Sequence, residues 1–203
     1  MLDGIGALPG IRLDLATYLD DSEGRLLGLR DSTVWKFERR QRFRQPESDS
    51  WTAFSQGRWT EALRLLEDNR PSLQRELGSL AESGTVVTRV RVVEQPLDPY
   101  LQWELHSLFL RTQYGERIRV IAPPQIPHSE GSEPLPEVLT LGEGVTYRIL
   151  YDDAGVLSGA VRHTDPDVTL GCRDDIAKLY DAGEDLAAFF HRDVAPLDPP
   201  AGQ

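Results

Sequence analysis

The chain has 203 residues, 39% of them hydrophobic and 27% charged, with a formal net charge of −11. That length suits one domain with a sizeable core, and the acidic balance disfavours sequence-independent nucleic-acid binding, which needs clustered Lys and Arg. No apolar run approaches the ~20 residues of a membrane span, no basic-then-apolar secretory signal opens the chain, and a single cysteine, Cys172, points to a reducing cytoplasm rather than a disulfide framework.

Charge is unevenly spread. Residues 23–44 hold seven basic and three acidic residues, whereas 150–203 hold eleven acidic and four basic. Such a chain can self-associate as a homodimer or hold a basic partner surface.

In chain order, residues 1–31 are weakly patterned and glycine-rich, read as a loose N-terminal arm with one short helix. STVWKFERRQRF (32–43) alternates as a strand, with Trp35 and Phe37 on one face and Lys36 and Glu38 on the other. Ser50 is placed to cap a short helix through Trp51 and Phe54 that Gly57 ends. From 58 to 84 leucines recur at threes and fours, with Thr60 as cap and Pro71 splitting the run into a helical pair.

The segment 86–122 predicts a parallel βαβ unit. Val87 to Val93 alternates with Arg89 and Arg91, so one strand face is apolar and the other cationic. Asp98 suits an N-cap and Pro99 the first helical position, where no amide donor is needed. Leu101, Leu105, Leu108 and Phe109 make the buried stripe, Gly115 closes the helix, and Ile118, Val120 and Ile121 return as a strand. Residues 122–137, rich in Pro, Ser, Glu and Gly, read as a mobile surface loop. The period then becomes two over 137–164, with turns at Gly142-Glu143-Gly144 and Asp153-Ala154-Gly155, giving an antiparallel meander. Helices follow over 166–190, and 191–203 reads as a disordered tail. The fold class expected is α+β: a mixed sheet, one parallel βαβ unit followed by the meander, helices on the faces and an N-terminal helical segment, with 32–190 as a single domain.

Motifs for catalysis are absent. There is no G-x-x-x-x-G-K-[ST] phosphate loop, and the turn after the first βαβ strand is EQPLD rather than glycine-rich. No G-x-S-x-G elbow occurs. Cys172 with His163 nine residues upstream is conceivable as a thiol nucleophile, but a lone helical cysteine is more often a core residue. His163, Asp165 and Asp167, with Asp152 and Asp153 a hairpin away, offer oxygen and nitrogen donors for a divalent ion; a helix cap and a turn explain the same residues better. No cofactor or metal is therefore expected. Tryptophan is frequent, at 35, 51, 59 and 103, and arginines lie near by, which suits a pocket or an interface as well as a core.

The strings RVRVVEQPLDPYLQWEL (89–105), GERIRV (115–120) and YDDAGVLSGAVRHTDPD (151–167), with a weaker STVWKFERRQRF and SWTAF, resemble an actinobacterial family of uncharacterised proteins, a domain of unknown function often encoded beside helix-turn-helix regulators. The resemblance spans 32–190. It implies a cytoplasmic protein acting in regulation or in a specialised gene cluster, and no catalytic residues. The C-terminal pattern is also distantly similar to degenerate phospholipase-D-like sensor domains, yet no histidine here begins an H-x-K.

Three functional readings result. The first is a non-catalytic regulatory or binding module that recognises a protein partner (such as a helix-turn-helix regulator) or a small effector through Trp35, Lys36, Arg89, Arg91, Tyr100 and Glu104. The second is a small enzyme of a specialised pathway, with Glu104, His163 and Tyr100, or Asp152, supplying acid–base chemistry. The third is a DNA-associated regulator using the patch Arg39, Arg40, Arg42 and Arg44, which falls on a strand and turn rather than a recognition helix; direct nucleic-acid contact is disfavoured.

Overall fold

A computed structural model describes residues 1–126 and 134–200. Among these the strands are β1 (Ile11–Asp14), β2 (Thr33–Glu38), β3 (Val86–Val92), β4 (Arg117–Ile121), β5 (Val138–Leu141), β6 (Val145–Tyr151), β7 (Leu157–His163) and β8 (Glu184–Asp185). They form one sheet in the order β1-β7-β6-β5-β2-β3-β4-β8. The helices are α1 (Leu15–Gly28), α2 (Asp49–Ser55), α3 (Trp59–Asp68), α4 (Arg70–Glu82), α5 (Pro99–Thr112), α6 (Pro166–Ala182) and α7 (Leu186–Phe189). The architecture is α+β with a mixed sheet.

The β3-α5-β4 unit forms as its punctuation dictates. The Asp98 carboxylate accepts from the Tyr100 amide at 2.8 Å, Pro99 opens the helix, and Gly115 leaves it at φ +101°, a conformation that glycine adopts without strain. A second parallel crossover precedes it. β2 pairs in parallel with β3, Lys36 opposite Arg89 and Glu38 opposite Arg91, so the helices α2, α3 and α4 form the connection between two neighbouring strands. The meander β5-β6-β7 is antiparallel and joins the parallel trio through an antiparallel β5–β2 pair.

Strand parity divides the interior. Phe37, Val90, Val92, Ile121 and Val138 pack on Val168, Cys172, Ile176 and Leu179 of α6. On the opposite face Ile118 and Val120 meet Leu101, Leu105 and Leu108 of α5 and Leu186 and Phe189 of α7. Farther along that face Val34, Val87, Leu141, Val145 and Tyr147 meet Tyr18 of α1 and Leu77 and Leu80 of α4. Removing such side chains from water stabilises by about 1.5–3 kcal/mol each, and Phe37, Ile121 and Ile176 are fully buried.

Several local expectations differ from the structure. Residues 1–31 are not a loose arm: β1 pairs with β7, α1 runs fourteen residues, and Leu2 and Ile5 are buried in the α6 core. Their weak pattern arises because β1 is a short edge strand and α1 buries only Tyr18. The tail is also tied down. Phe190–Val194 continues α7 as a π-helical turn, Val194 is buried, and the Gln102 amide donates to the Asp198 carbonyl at 2.9 Å; residues 201–203 lie outside the described residues. Ser48, not Ser50, caps α2 by accepting from the Trp51 amide, and α3 starts at Trp59, ahead of Thr60, without a side-chain cap. The expected mobile loop falls partly on 127–133, which lie outside the described residues; beside them Pro123–Gln125 forms a 3-10 turn, and Leu135 and Glu137 are buried.

Candidate functional site

Parity puts Lys36 and Glu38 of β2 on the same sheet face as Arg89 and Arg91 of β3. α5 lies over that face and brings Tyr100, Trp103, Glu104 and Arg111. The chain leaving β2 crosses beside them through Phe43, Arg44, Gln45 and Ser48. Together these elements border an open cavity of about 510 Å³, lined also by Glu47, Glu76, Ser107, Tyr151 and Leu157.

Its floor is a network of charge pairs. The Arg89 Nε donates to Glu116 Oε1 at 2.7 Å, and Arg89 Nη1 donates to both Glu38 oxygens at 2.7 and 2.8 Å. Arg111 pairs with the other Glu116 oxygen and, at 2.7 Å, with Glu76. Arg91, fully buried, pairs with Glu104 through Nε at 2.8 Å and Nη2 at 2.7 Å. Its Nη1 donates to the Arg40 carbonyl at 2.6 Å and the Val92 carbonyl at 3.1 Å. The Tyr100 hydroxyl donates to Glu104 Oε1 at 3.0 Å and accepts from Gln45 Nε2 at 2.7 Å. Trp103 is held by its own bond to Ser50, 2.9 Å, and by stacking on Phe54.

Two carboxylates of the cavity, Glu38 and Glu104, are driven apart. Burial raises both. At Glu38 the charges of Arg89, Lys36 and Arg91 outweigh burial and hold the pKa at about 2. At Glu104 burial prevails over Arg91, Glu38 adds a like charge, and the pKa is raised. Glu116 is also held at about 2, because Arg89, Arg111 and Lys36 overcome its burial. Burial, then Glu104, lifts Tyr100 well above the usual phenol value.

Of the six residues singled out in the sequence, Lys36, Arg89, Arg91, Tyr100 and Glu104 lie on this face. Trp35 does not: it points to the α6 side, edge-on to Tyr180 at 6.1 Å. Arg89 and Arg91 are not an open cationic surface either, since α5 covers them and carboxylates neutralise them. The acid–base trio does not assemble. His163 lies opposite Thr146 on β6, whose parity follows Trp35, so it faces away from Glu104; its Nδ1 lies 3.0 Å from the Pro9 carbonyl. Asp152 is occupied by the hairpin amides of Ala154 and Val156, and Asp165 by the cap of α6. Cys172 is fully buried, and burial pushes its thiol up to about 12, so it is no thiolate nucleophile. The basic patch is dispersed: Arg39 pairs with Glu94, Arg42 with Asp98, while Arg40 and Arg44 lie over Tyr151 and Trp51.

Sequence reasoning missed Glu116, Arg111 and Gln45 and gave Glu38 no role in the site. Glu38 was legible, because it shares the parity of Lys36. Arg111 and Glu116 bracket the end of α5, and only the return of β4 brings that pair under Arg89.

A family model described as a domain of unknown function (DUF6879) matches residues 21–191, more than four fifths of the chain. No curated protein matches it.

Proposed function

The chain belongs to the family of that domain of unknown function, and from its site we propose that it is a non-catalytic binding module that recognises a small effector in the cavity between α5 and the β2–β3 face. One observation carries this reading: the cavity of about 510 Å³ joins an aromatic wall, Phe43, Trp103 and Tyr151, to a floor of fixed charges. Apolar walls with a few placed polar groups are what small-molecule sites require. A floor whose arginines are already matched to carboxylates is pre-organised, so little ordering remains when a ligand enters. The charges also exceed what stability needs, because buried pairs rarely stabilise more than apolar residues of equal size.

The setting implied by the resemblance completes the proposal: a cytoplasmic, actinobacterial protein in regulation or specialised metabolism, which passes the bound state to a protein partner such as a helix-turn-helix regulator. Among the described residues no helix is long and apolar enough to cross a membrane. The likeness to phospholipase-D-like sensors lacking H-x-K is consistent with sensing without turnover.

The test is a panel of small metabolites screened by melting-temperature shift against the wild type and Ser107→Trp, which places an indole on the cavity wall at a lining position. Ligands that raise the wild-type melting temperature and leave the variant unmoved support the reading. Equal shifts in both proteins, or none in either, overturn it.

A catalytic reading has one observation in its favour, the opposed pKa directions of Glu38 and Glu104, which is how acid and base roles are divided in enzymes. It predicts turnover of some ester, phosphodiester or glycoside that Glu104→Gln abolishes with the melting temperature retained.

A further inference from the structure

Lysine occurs at only two positions in the chain, 36 and 178, against twenty arginines. The Lys178 side chain stands on the outer surface of α6, 76% exposed. The Lys36 side chain lines the charged cavity and is 31% exposed.

Arg89, Arg91 and Arg111 each have a carboxylate of their own within hydrogen-bond distance. Lys36 does not. Among the described residues its Nζ makes no hydrogen bond and approaches only Glu38, at 3.7 Å. Both oxygens of Glu38 already accept from Arg89. Of the other acids around the cavity, Glu116 just ahead of β4 is engaged by Arg89 and Arg111, Glu76 from α4 by Arg111, and Glu104 from α5 by Arg91, while Glu47, on the chain leaving β2, lines the cavity as an exposed residue. Lys36 therefore stands beside the guanidinium of Arg89, its register partner on β3, without a counter-ion to itself. Desolvation beside another cation favours the free amine and makes lysine a nucleophile; arginine in the same place stays protonated. The direction of the Lys36 pKa agrees: it is lowered, first by burial and then by Arg89, against the opposing pull of Glu38 and Glu116.

We infer that Lys36 is a carbonyl-reactive amine and that the effectors of this cavity are small aldehydes or ketones held as reversible imines. This rests on the reading of the cavity as an effector site. The amine lone pair of Nζ forms the C–N bond at the carbonyl carbon. The carbonyl oxygen takes one Nζ proton to give a carbinolamine, which loses that hydroxyl together with the remaining Nζ hydrogen as one water and leaves the C=N bond. Water reverses the sequence and releases the carbonyl compound unchanged, so no oxidant or reductant is consumed. Phe43, Tyr151 and Leu157 receive the carbon skeleton.

The test treats the full chain with butanal or glyoxylate and cyanoborohydride, which fixes any imine as a secondary amine, and maps the label by peptide mass spectrometry. At pH 7 Lys36 is expected to take label roughly fivefold or more faster than the far more exposed Lys178, since each unit of pKa depression multiplies the free-amine fraction by about ten. Ser107→Trp should suppress label at Lys36 and leave Lys178 unchanged. Label at Lys178 alone, or parallel rates at the two lysines, overturns the inference. If Lys36 stays unlabelled while metabolites still shift the wild type and not Ser107→Trp, the effector site stands and the imine falls; if those shifts are missing too, the cavity reading falls with it.

Discussion

The two faces of β3 bury different things to nearly the same depth. On one, Val90 and Val92 are fully buried against the α6 core; on the other, Arg91 is fully buried and Arg89 is 6% exposed. The valines need no partner, because apolar burial is non-directional and scales with area. The arginines need Glu38, Glu104 and Glu116 placed to within a few tenths of an ångström, since each lone charge in the interior carries a desolvation penalty of several kcal/mol. The valine face holds the sheet to its helix. The arginine face adds little net stability and supplies a shaped, charged cavity, which is why the functional proposals rest there.

The largest expected effect breaks this contrast on the charged side. Arg91→Ala leaves Glu104 buried without its counter-ion and should lower the unfolding free energy in urea by about 3–5 kcal/mol. The double change Arg91→Met with Glu104→Leu should recover most of that loss, while abolishing any effector-induced melting shift. A double variant as unstable as the single would mean that the pair stabilises the fold after all.

Acid should probe the same face next. Glu38 and Glu116 are held at about 2 in the fold against an ordinary value of 4.5. Their folded pKa values are depressed, so the stability they contribute is fully present above the unfolded value. It is lost as pH falls from about 4.5 towards about 2, on the order of 3 kcal/mol for each of the two. Urea midpoints measured along that range should fall steadily, and Glu116→Gln should flatten the slope.

On the apolar face Val90→Ala should reduce stability by about 2 kcal/mol through lost transfer energy and a residual cavity. That loss should not vary between pH 3 and 7, in contrast to the acid-sensitive charged face; a pH-dependent loss would show that the two faces are not independent. The smallest effect expected is that of Tyr100→Phe, about 1 kcal/mol from the bonds to Glu104 and Gln45. In urea unfolding coupled to a pH series it should also move the titration of Glu104.

Much of the fold was legible because it is written in local chemistry. Asp98-Pro99 and Gly115 bound α5, β-branched alternation marks β3, and glycine turns separate the meander strands; each signal acts within a few residues. β1 and α1 were not legible, since an edge strand of four residues and a helix burying one tyrosine leave almost no periodicity. The parallel pairing of β2 with β3 is a contact across 53 residues, and no local signal specifies it. The site divides in the same way. Lys36, Glu38, Arg89 and Arg91 share a face by strand parity, and Tyr100 and Glu104 share one by helical spacing, so the residue types could be gathered from the sequence.

The amino-acid sequence thus determined the α+β class, the parallel βαβ unit and the meander, and five of the six residues it singled out lie on the charged face, because hydrophobic period, caps and turns are short-range. Tertiary structure alone decided that Trp35 turns away to Tyr180, that His163 faces the other side of the sheet, that Arg89, Arg91 and Arg111 each hydrogen-bond a carboxylate, and that Lys36 only shares Glu38 with Arg89 at 3.7 Å. Those outcomes depend on strand order and on which helix covers which face, and both are settled by long-range packing.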